Sequence, residues 1–296
     1  MLEGICTEGP MTQTPPPRLH VIPARSAPVA AVLARGPSSW FQVLRWELDT
    51  GLVEPGAWIH ATIYPRRCDI SPDGGLLCSF ILASRPPPFD SYFAVSRMPW
   101  LTALAAWRVG STYAAACQFH PDGTLALGFP PETAPDHGSY PGRLGALTPY
   151  PPGGRDVWAT ADVVHELRRG WRVAGEEDAR EAVAATPAPG AAIVIERDRP
   201  RGEAALELVH AGHDHRGGWV EGAEVHYVVR AGGRRALAEG VTWADWDATG
   251  RLLVATADGA IEVREDGRGG WQPVWRHDLR GRKPEPRTAP DWACHW

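Results

Sequence analysis

The sequence predicts an all-β fold, and three observations carry that prediction. First, the 296 residues include 32 Gly and 29 Pro, about a fifth of the chain against an average of roughly 12%. So many breakers leave little room for long helices and favour short strands joined by turns. Second, one strand–turn–strand segment occurs three times without gaps. Third, 14 Trp stand against only 3 Met, and several of the Trp fall at matching places in the recurring units.

The recurring segments begin at Cys68 (CDISPDGGLLC), Cys117 (CQFHPDGTLAL) and Ala244 (ADWDATGRLLV). Where present, Pro presets the first dihedral of the turn. Asp bonds back to the backbone, and Gly accepts a positive φ. Alternation along the first strand places Cys68/Ile70, Cys117/Phe119 and Ala244/Trp246 on one face, and Asp69, Gln118 and Asp245 on the other. The segments are 49 and 127 residues apart, and the second interval is close to three units of a blade length. This matches the period of roughly 40–50 residues found in four-stranded propeller blades. A weaker series, Gly170-Trp171, Gly218-Trp219 and Gly270-Trp271, has a similar interval and reads as outer hairpins, with Trp sealing the seams. A strand over Val43–Leu48 runs into the turn Asp49-Thr50-Gly51.

The phrases ISPDGGLL, FHPDGTLAL and DWDATGRLLVATADGAIEV resemble the core of WD-repeat and related bacterial propeller blades, and RWELDTG resembles the strand end of the same repeats. The match covers about a third of the chain and lacks the Gly-His dipeptide of WD repeats. It implies a fold family and no particular activity. WD-type repeats usually carry a small residue where Asp69, Gln118 and Asp245 stand, so these three are a departure.

Taken in order, residues 1–20 mix Pro, Thr and Gly without periodicity and read as disordered, with Met11 an alternative start. A propeller domain follows over 21–280. Its first unit lies within 21–65, and further units start near 66, 116, 156, 187 and 241. That makes about six blades, four-stranded and antiparallel, with five or seven also compatible. Residues 161–169 (ADVVHELRR) have a rival helical reading, but the strand is preferred because Gly170-Trp171 follows so soon. Residues 281–296 form a polar, Pro-rich tail ending in Trp292, Cys294, His295 and Trp296, either a docked strand or a sticky end.

Thirty basic and 35 acidic residues give a net charge of −5, which does not favour a nucleic-acid partner. No stretch is long and apolar enough to span a bilayer. The segment 27–34 makes a poor signal peptide. Five cysteines form no paired framework, and a cytoplasmic, monomeric protein is expected. Cys68 and Cys78 are expected to face each other across their hairpin as small core residues.

If Asp69, Gln118 and Asp245 point to one channel, they present oxygen ligands suited to a polar ligand or a cation. Arg67 could join them and lower the carboxylate's pKa; the bland alternative is a merely hydrated channel. His210, His213, Asp214 and His215 form an H-x-x-H-D-H cluster, reminiscent in composition of a metal site but better read as a solvated hairpin loop, so no metal is assigned. Arg97 and Trp100 sit in a Pro-broken segment as an interface pair or, equally, a local stack. Asp247, beside the tempting pair with Asp245, reads as turn chemistry. No phosphate loop, nucleophile elbow, zinc-protease helix or dinucleotide fingerprint occurs, and no cofactor is implied. Two functions follow. One is a non-catalytic module for a protein partner or ligand. The other is an enzyme or binder of a small polar ligand or metal, using the channel.

Overall fold

A computed structural model of the chain describes residues 14–36, 39–83, 90–110, 116–128, 134–147, 165–174, 193–211, 224–268 and 270–296. They form a mostly β protein of five sheets, as expected at the level of class. Sheet I carries strands Arg18–Pro23, Val29–Arg35, Trp40–Glu47 and Val53–His60 in chain order. Sheet II is built on Leu76–Leu82, Ser91–Arg97 and Ala105–Arg108, with short strands Thr62–Ile63, Asp69–Ile70 and His137–Gly138 added. Sheet III joins Cys117–Phe119, Leu125–Leu127 and Leu144–Ala146. Sheet IV runs Arg172–Val173, Ile193–Asp198, Ala205–Ala211, Glu224–Ala231 and Arg234–Leu237. Sheet V runs Val241–Trp246, Leu252–Thr256, Ala260–Gly267 and Gly270–Asp278. All pairings are antiparallel except that of Leu125–Leu127 with Leu144–Ala146.

Four apolar clusters lie between sheets and set their order. Ile22, Ala31 and Val43 of sheet I meet Ile63, Ile70 and Leu77 of sheet II. Cys78, Phe80 and Trp107 of sheet II meet Cys117, Phe119 and Leu125 of sheet III. Val21, Val32 and Trp46 of sheet I meet Leu253, Ala255 and Ile261 of sheet V. Leu252, Val254 and Trp246 of sheet V meet Ile195, Leu206 and Tyr227 of sheet IV. Neighbouring residues of one strand thus feed two seams. That is why VAAVLA in Val29–Arg35 is apolar throughout and not alternating. The order is III–II–I–V–IV.

The recurring segments are the hairpins expected, with one difference. Gly74, Gly123 and Gly250 hold φ of 73°, 81° and 87°, the left-handed turn conformation that glycine takes without a Cβ penalty. In two hairpins three residues make the turn, since His120 N–H donates to Thr124 O and Asp247 N–H to Arg251 O. In the first, Ser71 N–H donates to Leu76 O, so Gly75 is drawn into a four-residue turn. The register moves by one, and Cys78 lies opposite Asp69, not opposite Cys68. The other two pairs, Cys117 with Leu127 and Ala244 with Val254, are in the expected register.

Further expectations change. The first strand begins at Arg18, inside the segment read as disordered, because Leu19 and Val21 bury against sheet V. Residues 165–168 are helical, not strand. Gly170 (φ 99°) ends that turn, with Trp171 N–H donating to Glu166 O and Gly170 N–H to Leu167 O, the glycine-terminated helix end. Gly270, by contrast, opens a strand, so the two Gly-Trp pairs are not equivalent, although Trp171 and Trp271 pack in the same seam. Trp219 lies outside the described residues. The unit expected near 156 falls mostly outside them too, and the described residues of 172–237 make one sheet. The tail packs without forming a strand: Arg287 donates to Pro55 O (2.8 Å), and a 3-10 turn over Asp291–Ala293 buries Ala293.

Candidate functional site

The strands that precede the three turns each turn their apolar residues to a seam and their polar residue the other way. Cys68/Ile70, Cys117/Phe119 and Ala244/Trp246 all sit in clusters with the sheet before their own. Asp69, Gln118 and Asp245 are consequently forced away from the apolar seams, yet they are buried at 0%, 8% and 3% exposure. A buried carboxylate needs compensating charge and hydrogen bonds, and here arginines supply them.

Asp69 is held by two guanidiniums. Arg169 Nη1 donates to Oδ1, and Arg25 Nη2 donates to Oδ2 at 3.2 Å. Phe119 N–H donates to the same Oδ2 at 2.9 Å. Arg169 also donates to Pro23 O (2.8 Å) and Arg25 to Phe119 O, so one carboxylate ties sheets I, II and III to the helical turn before sheet IV. Gln118 Nε2 donates to Arg168 O at 3.1 Å. Asp245 takes both bonds of Arg197 Nη1, at 2.8 and 2.6 Å, joining sheets V and IV. Asp69 and Gln118 are neighbours, then, and Asp245 is engaged with its own arginine; the three do not form one open ligand set.

Arg67 is placed elsewhere than expected. Its guanidinium lies over Tyr64 (4.9 Å) and Phe80 (5.5 Å), while Arg25 and Arg169 take the expected position beside Asp69. Arg66 Nη1 pairs with Glu166 at 2.8 Å. His20 and His165 stand among these groups. Burial pushes both well below the ordinary imidazole range; Arg66 and Arg169 add to this at His20, and Arg169, His20, Arg66 and Arg168 at His165. Burial also lowers Arg25, partly offset by Asp69, and lowers Arg168. Tyr227 is pushed up to about 12, chiefly by burial. His165 is 3% exposed, and its Nδ1 has no hydrogen-bond partner among the described residues.

Sequence reasoning found the carboxylates and missed their arginines. The partners lie 44, 100 and 48 residues away in the chain, and no spacing rule links them. The only local signal was the charged run His165-Glu166-Leu167-Arg168-Arg169 ahead of a glycine stop.

The other candidates are dispersed. Arg97 Nε donates to His295 O at 2.7 Å, anchoring the C-terminal tail; Trp100 is half-buried, with Nε1 inside and without a partner among the described residues. Cys68, Cys78 and Cys117 are free and buried, and burial pushes all three thiols up. Cys117 Sγ lies within hydrogen-bonding distance of both Arg67 O (3.2 Å) and Cys78 O (3.3 Å), which share its one S–H. These are core groups, as read. Asp247 does turn chemistry: its Oδ1 accepts from Thr249 N–H and Arg251 N–H, both at 2.9 Å. His210 lies in strand Ala205–Ala211, while His213, Asp214 and His215 lie outside the described residues. Among the described residues no three His, Cys, Asp or Glu are grouped to hold a metal, and no helix is long and apolar enough to cross a membrane.

No protein-family model matches the chain, and no curated protein is significantly similar to it.

Proposed function

We propose that the chain is a β-propeller, with five of its sheets among the described residues, that works as a non-catalytic binding module in the cytoplasm. The observation that carries this reading is the state of the central carboxylates. Asp69 and Asp245 spend their acceptor positions on arginines from distant segments and on backbone N–H groups, so they act as braces and not as acid–base groups. The propeller arrangement is supported by the seam rule, in which each polar-facing strand turns its apolar side to the preceding sheet. It is also supported by Gln118 and Arg169, which link sheets II and III to the segment entering sheet IV. A rigid disc of this kind exposes loops at two ends for a partner. The free thiols suit a reducing compartment.

Cross-linking mass spectrometry on the purified chain with its captured partner tests the reading. The expected result is one saturable partner whose cross-links fall on loops at one end of the sheets. Turnover of any substrate that is lost in Asp69→Asn or Asp245→Asn, with the fold intact, would replace it with the enzyme alternative.

A further inference from the structure

After the last strand of sheet V the chain leaves the sheets and runs across the outer edges of two others. Leu279 N–H donates to Gly259 O. Beyond it, Gly281 takes a φ of 71° with open space where a Cβ would stand, and the chain turns away there. Arg282 Nη1 then donates to Gln42 Oε1 at 3.2 Å, and Arg287 Nη1 to Pro55 O at 2.8 Å, in the outermost strand of sheet I. Farther on, Arg97 Nε donates to His295 O at 2.7 Å. Trp296 Nε1 donates to Ser139 O at 2.5 Å, and its ring meets Tyr140 edge-on. Ser139 follows His137–Gly138, the outermost strand of sheet II. Edge strands expose backbone groups that can receive an added chain, and side chains of this segment cap a carbonyl at both edges. Among the described residues, no backbone–backbone hydrogen bond joins residues 280–296 to another segment, and from 281 onward only Ala293 is buried. A segment with so few buried contacts and no ladder opens more readily than the sheets beneath it.

We propose that this surface, from Gln42 and Pro55 to Arg97, Ser139 and Tyr140, is the docking site of an extended, proline-rich peptide bearing arginine and tryptophan, and that residues 282–296 occupy it as an intramolecular competitor. The segment itself shows what fits. Its Pro284, Pro286 and Pro290 favour an extended backbone before binding, which lowers the ordering cost. Its arginines reach oxygen acceptors, its tryptophan brings a donor and an apolar ring, and its backbone carbonyl meets Arg97. Arginine and tryptophan are among the residues that dominate interface energetics. Tethering gives such a segment an effective concentration of about millimolar, so a peptide of modest affinity is held off until the segment lets go. The proposal rests on the binding-module reading and gives that partner its chemistry.

The test uses the full chain and a fluorescein-labelled peptide with the sequence of residues 282–296, followed by fluorescence anisotropy. In the chain, Arg287→Ala with Trp296→Ala loosens the resident segment and leaves the surface beneath it unchanged. The peptide should bind this variant at least about tenfold more tightly than the wild-type chain, the effect expected when the competitor loses a charged hydrogen bond. A peptide carrying the same two substitutions should lose that binding. Trp296→Ala alone, at a position 39% exposed, serves if the double variant does not stay folded. Equal affinity for the two chains, no binding to the loosened chain, or equal binding of the substituted peptide would each overturn the docking site. Cross-links of a captured partner confined to other loops would overturn it too and leave the module reading in place. That reading fails separately, when cross-linking finds no saturable partner at all.

Discussion

Replacing Asp69 with Asn removes one charge and almost no volume, and the structure sets the size of the effect. The carboxylate is fully buried and accepts from Arg169, from Arg25 at 3.2 Å and from Phe119 N–H at 2.9 Å. Hydrogen bonds to a charged group contribute about 1.5–3 kcal/mol each. Against that, Asn keeps one acceptor oxygen and is cheaper to desolvate than a carboxylate. What remains is two guanidiniums facing each other without their anion, the situation in which breaking a buried pair costs about 3–5 kcal/mol. Arg169 is only 8% exposed and Arg25 23%, so solvent screens little of it. Urea unfolding followed by tryptophan fluorescence should show a loss in that range for Asp69→Asn. The double variant with Arg169→Met should lose less than the sum of the two single changes, by about 1–3 kcal/mol. A loss under about 0.5 kcal/mol, the size of an ordinary surface change, would refute the brace.

Acid should destabilise the fold before carboxylates titrate. His20 and His165 are lowered in the folded state, so the unfolded chain binds more protons below its imidazole pKa of about 6.5. Their stabilisation is complete above that pH and is lost as pH falls from there toward the folded values, with a slope of up to about 1.4 kcal/mol per pH unit for each group; His165→Gln should flatten an unfolding-versus-pH series. Gly56→Ala should be strongly destabilising, because the added Cβ would collide with the Pro99 carbonyl. Gly123→Ala, with open space but φ 81°, should cost only about 1 kcal/mol, and chemical denaturation separates the two. Truncation after Pro290 removes the His295 carbonyl held by Arg97, the buried Ala293 and the Trp296 contact with Tyr140 (5.5 Å); raised proteolysis near residues 97 and 140 is the expected outcome.

Short-range chemistry was legible in the residue string. The Asp-Gly turns, the strand into Asp49-Thr50-Gly51, the core role of Cys68, Cys78 and Cys117, and the packing of Trp46 and Trp246 all follow from neighbours a few positions apart. Two local readings went astray where one residue tips a balance. Gly75 could join the turn or the strand, and the backbone bonds of Ser71 drew it into the turn. Gly170 ends a strand or a helix equally well, and the burial of Trp171 against sheet V goes with the helical ending.

Composition and alternation by themselves determined that this chain is β-rich, turn-dense and built of similar hairpins, because those properties depend on dihedral preferences and a period of two. They also determined that Asp69, Gln118 and Asp245 share a side of their strands, turned from the apolar seams. Only the tertiary structure decided what meets them there. Which arginine answers a buried carboxylate depends on how five sheets stack, and Arg25, Arg169 and Arg197 arrive from sites 44 to 100 residues distant. Charge compensation in a low-dielectric interior is a property of position in space, and a linear pattern carries no record of it.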